Sequence, residues 1–168
     1  MANINLLIPK ILQWEGKFVN DPTDRGGATN MGVTFATFKE VFGEDSTIDE
    51  LVSMTKEMFV MVLKNLYWDR RHADEIINQS VAEILVDWVW ASGKWGIMIP
   101  QRILKTDDDG VVGPKTIASL NNQDQEDFFD KVKQARFSFI NSIILHDPSQ
   151  EKFHKGWNNR INDYVFKA

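Results

Sequence analysis

The sequence predicts a mainly α-helical (all-α) fold with at most a small β-hairpin. Apolar residues recur at intervals of three and four over most of the chain, which is the spacing of helices with one buried face. Capping residues and glycines bound these stretches. Alternating apolar and polar residues do not extend over a useful strand length anywhere. A chain of 168 residues is then expected to form one domain, or two small lobes with a shared core.

The predicted helices follow one another through short connections. The first begins near Asn5 and reaches Glu15, and Gly16 is expected to end it with a positive φ. The remaining helices are expected at 35–42 with Thr34 as cap, 46–53 as a short helix or turn, 55 to about 68–72 with Thr55 as cap, 80–92 with a Ser80–Glu83 capping box, 95–104, 114–120, from 124 through at least 143, and after Pro148.

Composition and charge exclude several classes of protein. The absence of cysteine excludes a disulfide framework and a cysteine-based zinc site. A net charge of −5 and a pI near 5.2 argue against a nucleic-acid partner. No stretch approaches the ~20 apolar residues of an integral membrane segment. Residues 1–12 lack the basic start and cleavage site of a signal peptide, so we expect synthesis in the cytoplasm and another export route.

The strongest candidate site lies in residues 14–34. Glu15 follows Leu7, Ile8 and Ile11 at helical spacing, so its carboxylate is expected at the mouth of an apolar face. An isolated glutamate is more often a plain surface residue, but the loop that follows favours a site. Turn residues and adjacent glycines there let the backbone approach a ligand closely. The candidates in this loop are Asn20, Asp21, Asp24, Gly26, Gly27, Thr29 and Thr34.

Residues 15–34, EGKFVNDPTDRGGATNMGVT, resemble the signature of the family 108 glycoside hydrolases. These are N-acetylmuramidase-like proteins, also named secretion activators, with a pattern close to E-G-G-Y-x-N-D-P-x-D-x-G-G-x-T-x-x-G-V-T. Lys17 replaces its second glycine and Phe18 its tyrosine. Four further stretches are similar to family motifs: 66–69 to Y-W-D, 87–93 to D-x-A-V-N-S-G with Ala91 for Asn, 109–116 to D-G-x-x-G-P-x-T, and 153–160 to F-x-x-G-W-x-x-R.

This resemblance spans nearly the whole chain and implies a lysozyme-like helical fold. It implies a catalytic region at 1–93 and a helical peptidoglycan-binding region at 94–168, packed on it because no flexible linker intervenes. The implied activity is that of a bacterial or prophage endolysin, a peptidoglycan hydrolase that cleaves the β-1,4 bond between N-acetylmuramic acid and N-acetylglucosamine. We expect a monomer without a cofactor or metal, whose partner is the glycan strand at the cell wall or in the periplasm.

The resemblance also implies roles for individual residues. Glu15 would be the general acid. Because Asp24 follows Glu15 by nine positions across a loop, we predict that Asp24 with Thr29 orients a water molecule for inversion at the anomeric carbon, and retention with Asp24 as nucleophile is the alternative. The expected substrate-binding residues are Asn20, Asp21, Gly26, Gly27, Thr34 and Trp90. Two alternatives stay open: a lytic transglycosylase, which can work with a single glutamate, and a non-catalytic protein that binds the wall or assists secretion.

Two groups of residues invite a metal interpretation that their spacing does not favour. Asp107–Gly110 resembles part of a calcium loop, but Lys105 and Thr116 occupy positions where an EF-hand has ligands. A turn before a helix is the preferred interpretation. The histidines His72, His146 and His154 also lack metal-ligand spacing and are expected at the surface or in packing contacts.

Trp90 and Arg136 are the remaining side chains that need an explanation. Trp90 lies opposite Trp88 on its predicted helix, so it requires a second packed layer or a stacked sugar ring, and the packed layer is favoured. Arg136 falls on an apolar helix face, where an unpaired charge is costly. A structural ion pair is therefore favoured over substrate binding.

Overall fold

The computed structural model describes residues 1–20 and 27–168, which form two compact units. One unit is Ile4–Arg70, and the other combines Met1–Asn3 with Arg71–Ala168. Asp21, Asp24 and Gly26 lie outside the described residues. In the described part of the chain, no helix is both long and apolar enough to cross a membrane.

The smaller unit, Ile4–Arg70, consists of short helices and one β-hairpin. Three of these helices begin with a threonine cap, because the hydroxyl groups of Thr34, Thr47 and Thr55 each accept a hydrogen bond from a backbone amide in the first turn. The elements are α1 (Ile4–Leu12), β1 (Thr29–Asn30), β2 (Val33–Thr34), α2 (Phe35–Phe42), α3 (Ile48–Val52) and α4 (Lys56–Val62), followed by a π-helix (Leu63–Trp68) and a 3₁₀ turn (Asp69–Arg71). The core includes Leu7, Ile11, Phe38, Leu51, Phe59, Val62, Leu63 and Trp68.

The larger unit is built around α5 (Gln79–Ser92), which packs against α6 (Trp95–Leu104) and α8 (Gln125–His146). Its helices are α5 (Gln79–Ser92), α6 (Trp95–Leu104), α7 (Pro114–Asn121), α8 (Gln125–His146) and α9 (Glu151–Asn162), with 3₁₀ turns at Ala73–Glu75 and Pro148–Gln150. Gly96 makes the close approach of α6 to α5 feasible, because a Cβ there would lie 2.5 Å from the backbone nitrogen of Val89. Pro114 begins α7 and the Asp124 side chain caps α8, as predicted.

The predicted start of α5 is wrong. The helix begins at Gln79, and its cap is Asn78, two residues before the predicted cap; the Asn78 side-chain oxygen accepts a hydrogen bond from the amide of Val81 at 3.1 Å. Ser80 instead accepts a hydrogen bond from the amide of Lys167. Glu83 is buried and accepts one from Gln79. Both members of the proposed capping box are therefore engaged elsewhere.

The predicted fold class is confirmed, because the described chain is mainly helical and its sheet is one two-stranded antiparallel hairpin. The division at residues 93 and 94 remains a prediction about sequence regions. The helices on either side of it, α5 and α6, pack together within one compact unit.

Candidate active site

Glu15 lies three residues beyond the end of α1 and is half-buried. Two tightened turns carry the chain to it: the amide of Trp14 donates to the carbonyl of Ile11 at 2.9 Å, and the amide of Glu15 donates to Leu12 at 3.3 Å. Leu7, Ile8 and Ile11 form the buried face of α1, as predicted. The backbone of Glu15 is thereby tied to the end of that face.

The predicted end of this helix is wrong. It ends at Leu12, and Gly16 does not have a positive φ. Pro9 lies inside α1 and has no N–H to donate to the preceding turn, so the helix lacks one internal hydrogen bond. After Leu12 the chain continues through turns whose hydrogen bonds join residues three positions apart, and no glycine cap ends the helix.

The loop after Glu15 returns on itself, as the sequence analysis expected. Val19 and Thr29 form an antiparallel bridge in which each amide donates to the other's carbonyl at 2.8 Å. Thr29 also pairs with Thr34 across the hairpin. The two ends of the segment 20–28 are therefore held together at the edge of a small sheet.

The hairpin turn consists of Met31 and Gly32, with φ values of 48° and 76°. Positive φ at both central residues is the signature of a type I′ turn, which matches the twist of its flanking strands. Glycine adopts this conformation freely, whereas Met31 does so at a cost of about 1 kcal/mol or more. Such strain persists where the surrounding structure holds the turn in place.

The carboxyl group of Glu15 packs against Gly32. A Cβ built on Gly32 would overlap the carboxylate oxygen Oε2 and would lie 2.6 Å from Cδ. Only glycine therefore leaves room for the acid in its present position. The sequence analysis did not single out Gly32, although a glycine between two β-forming threonines was a usable signal for a hairpin turn.

The side chain of Asn30 joins the hairpin to the end of α3. Its side-chain amide donates to the carbonyls of Leu51 at 2.9 Å and Val52 at 3.2 Å, the last two residues of α3. Asn30 is buried, and these bonds satisfy carbonyls that a helix end leaves without internal partners. Sequence reasoning missed this role, because the partner residues lie more than twenty positions away.

Thr29 and Thr34 are opposite one another in the hairpin, so their side chains share a face with Val19. The opposite face carries the buried Asn30 and Val33. The hydroxyl of Thr34 caps α2, because it accepts a hydrogen bond from the amide of Thr37 at 3.2 Å and contacts the Thr37 hydroxyl at 2.9 Å. Thr34 therefore has a structural function as well as its predicted binding role.

The other described candidates are Asn20, Gly27 and Trp90. Asn20 is exposed, and Gly27 has a φ of 66° with no described atom within 4 Å of a built Cβ. Trp90 is half-buried on α5, in the larger compact unit. The structure thus brings Glu15, Thr29 and Thr34 to one hairpin within the smaller unit.

Asp87 on α5 is the most deeply buried acid among the described residues, and it forms ion pairs with two arginines. Arg136 donates to it at 2.8 Å and Arg160 at 2.6 Å. Burial alone would raise the pKa of Asp87, but the two guanidinium charges outweigh it and hold this pKa below its usual range. The structural ion pair predicted for Arg136 is confirmed.

Neighbouring groups complete this cluster. The guanidinium of Arg136 lies 5.8 Å from the Trp88 ring and 5.7 Å from the Tyr164 ring. Burial raises the pKa of the Tyr164 hydroxyl, as does the nearby charge of Asp87, so this phenol stays neutral. The arrangement is that of a structural core.

The acidic stretch at 107–110 is used internally. Asp109 accepts hydrogen bonds from the side chain of Gln101 and the amide of Val111, and Asp108 pairs with Arg102. These bonds lower the pKa of Asp109 and build the turn before α7. Across residues 1–20 and 27–168, no group of three or more acidic or histidine side chains could hold a metal ion.

The chain is similar over almost its whole length to a solved structure. It is the structure of Brucella abortus SagA, with 26% sequence identity and a TM-score of 0.82, covering 96% of this chain and 90% of that chain. No curated protein sequence matches the chain significantly.

Two family descriptions match consecutive parts of the sequence. Residues 95–162 match the Predicted Peptidoglycan domain, which supports peptidoglycan as the ligand. Residues 8–93, just over half of the chain, match Glycosyl hydrolase 108. Together they support a hydrolase of peptidoglycan and confirm the family resemblance read from the sequence motifs. The chain therefore belongs to the glycosyl hydrolase 108 family.

Proposed function

We propose that the protein is an N-acetylmuramidase that cleaves the β-1,4 bond between N-acetylmuramic acid and N-acetylglucosamine, with Glu15 as the general acid. The observation that carries this proposal is the position of the Glu15 carboxylate against Gly32 in a strained hairpin turn. Backbone strain of this kind clusters at functional sites. The half-buried acid is held by backbone turns on one side and by the hairpin on the other.

The chemistry assigned to Glu15 is proton donation to the leaving glycosidic oxygen. Bond cleavage builds positive charge on the sugar ring, and protonation of the oxygen makes the departing sugar a neutral alcohol. A positioned acid of this kind accelerates a reaction by about 10² to 10⁴. Asn20, Asp21, Gly26, Gly27, Thr34 and Trp90 are proposed to contact the glycan.

The second half of the reaction is assigned to Asp24 and Thr29, which orient the attacking water and so invert the anomeric carbon. Support comes from the Val19–Thr29 bridge, which holds the ends of the loop containing Asp24 close together. An inverting enzyme separates its two carboxyl groups by about 6.5 to 9.5 Å, and a retaining enzyme by about 5 Å. Asp24→Ala should therefore reduce activity far more than Asp21→Ala, since Asp21 precedes Pro22 and is suited to a turn.

The test is a product analysis with purified peptidoglycan. New reducing ends whose first-formed anomer is α, as seen by NMR, are expected from inversion. A first-formed β anomer would contradict the roles of Asp24 and Thr29, and an anhydro sugar, one water lighter by mass spectrometry, would identify a transglycosylase. Binding without any soluble product would identify a wall-binding protein. A soluble hydrolase of this specificity fits an endolysin that acts at the cell wall.

A further inference from the structure

One face of α9 presents an aromatic surface that the ion-pair cluster does not explain. Phe153, Gly156, Trp157 and Arg160 recur at helical spacing, so they share this face. The rings of Phe153 and Trp157 stack with centroids 5.7 Å apart and planes 29° apart. Phe153 is 45% exposed and Trp157 is half-buried. We call Phe153, Gly156 and Trp157 the aromatic shelf.

Gly156 has no evident structural reason to be glycine. It lies inside a 12-residue helix, where glycine is disfavoured relative to alanine. Its φ is not positive, and a built Cβ would meet no described atom within 4 Å. The bare backbone therefore leaves open space on the helix face beside Trp157. Glycine is commonly used where a ligand approaches a backbone closely.

Trp157 also lines a cavity of about 110 Å³. The residues that line it include two tryptophans, Trp88 and Trp157, together with Ser92, Arg136 and Arg160. This is several times the roughly 10–15 Å³ that a cavity needs to hold one water molecule, so a group of several heavy atoms can enter it. An acetamido group has four heavy atoms, with a methyl group suited to the indoles and a carbonyl oxygen that accepts a hydrogen bond from a hydroxyl donor.

We propose that the aromatic shelf and this cavity form a saccharide subsite for one N-acetylated amino sugar of a glycan strand. The pyranose ring lies on Trp157 and over Gly156, and its acetamido group enters the cavity. A neutral acetamido group suits the site better than a carboxylate, because Asp87 already occupies both guanidinium groups. This assignment rests on the proposed function in that the bound polymer is peptidoglycan.

The test uses the full chain carrying Glu15→Gln, so that binding is measured without turnover. A β-1,4-linked N-acetylglucosamine tetramer is titrated while the indole N–H resonance of Trp157 is followed by NMR, with Trp157→Phe assigning the resonance. Gly156→Leu should fill the open space and weaken the affinity at this resonance roughly tenfold. Leucine is a good helix former, so the fold should persist. Asn159→Leu, an exposed change on the side of α9 opposite Trp157, is the matched control and should leave the affinity unchanged.

Three results would overturn the subsite: no response of the Trp157 resonance to the tetramer, equal affinity in the Gly156→Leu and Asn159→Leu variants, or a response to a stem peptide lacking sugar in place of the tetramer. Failure of the proposed function is a separate outcome. It would appear as an absence of new reducing ends when the protein with Glu15 intact is incubated with peptidoglycan.

Discussion

Each compact unit contains one carboxylate of special interest, Asp87 in the larger unit and Glu15 in the smaller one. The surroundings of the two carboxylates differ, and the difference distinguishes a structural carboxylate from a candidate catalytic one. Asp87 is fully buried and bound by two arginines, which fix it as an anion. Glu15 is half-buried against Gly32, and it precedes the loop that leads to the hairpin. A carboxylate neutralised in the interior holds helices together, whereas one pressed against a turn near solvent can exchange a proton with a substrate.

Replacement of Glu15 should have the largest effect. Glu15→Gln keeps the shape of the side chain but cannot donate the proton, so peptidoglycan hydrolysis should fall by about 10² to 10⁴. The loss of turbidity of a peptidoglycan suspension measures it, and circular dichroism checks the fold. Glu44→Gln, at a side chain that is 89% exposed, is the control and should be fully active. Normal lysis by the Glu15 variant would remove this residue from the mechanism.

Replacement of Asp87 should lower the stability of the protein and should not act on the catalytic step directly. Asp87→Asn leaves two largely buried guanidinium groups without their anion, so the free energy of unfolding should fall by about 3 to 5 kcal/mol. Urea unfolding measures the loss. Asp108→Asn, which breaks an exposed pair with Arg102, should cost less than about 1 kcal/mol. Equal costs for the two variants would mean that the buried cluster contributes little.

The same cluster predicts a dependence of stability on acid. The pKa of Asp87 is lowered in the folded protein, so its stabilising contribution is present above the unfolded pKa of about 3.9 and is lost as pH falls through the lower folded value. The stability difference between the wild type and Asp87→Asn should therefore be constant near neutral pH and shrink below about pH 4. Urea titrations at several pH values measure it, and a difference that grows in acid would contradict the assignment.

Substitution of Gly32 tests whether the turn positions the acid. In Gly32→Ala the new methyl group overlaps the Glu15 carboxylate, and a displacement of about 1 Å can cost about 10² in rate. The positive φ should also cost about 1 kcal/mol in stability. Gly43→Ala is the matched control, because Gly43 has a φ of 111° and no described atom within 4 Å of its Cβ. It should lose stability and keep full turnover. Equal turnover in both variants would mean that Gly32 does not position Glu15.

The smallest effect is expected at Asn30. Asn30→Ala removes two hydrogen bonds to the end of α3 and leaves those carbonyls without this donor, a loss of about 1 to 3 kcal/mol. Activity should fall only to the extent that the hairpin becomes less well ordered and no longer holds the Glu15 carboxylate in position. Thermal unfolding and turnover measured at the same temperature separate these two effects. Unchanged stability would show that the hairpin is held by other contacts.

Local patterns in the sequence were sufficient for the helical fold class, the Thr34 and Asp124 caps and the requirement of Arg136 for an anionic partner. Each depends on residues three or four positions apart or on the cost of burying a single charge. The same kind of local reasoning failed at α5, because Asn78 and Ser80 are both good caps and only the contact of Ser80 with Lys167 distinguishes them.

Tertiary structure alone decided how Glu15 meets Gly32 and how Asn30 reaches α3. These pairs are separated by seventeen and more than twenty positions, and their contact depends on a loop closed by the Val19–Thr29 bridge. No periodicity or propensity carries that information, because helical and strand patterns describe neighbours within one element. The sequence could therefore identify the acid and its loop. The close approach of the Glu15 carboxylate to Gly32, where only a glycine leaves space for it, is decided by the tertiary structure.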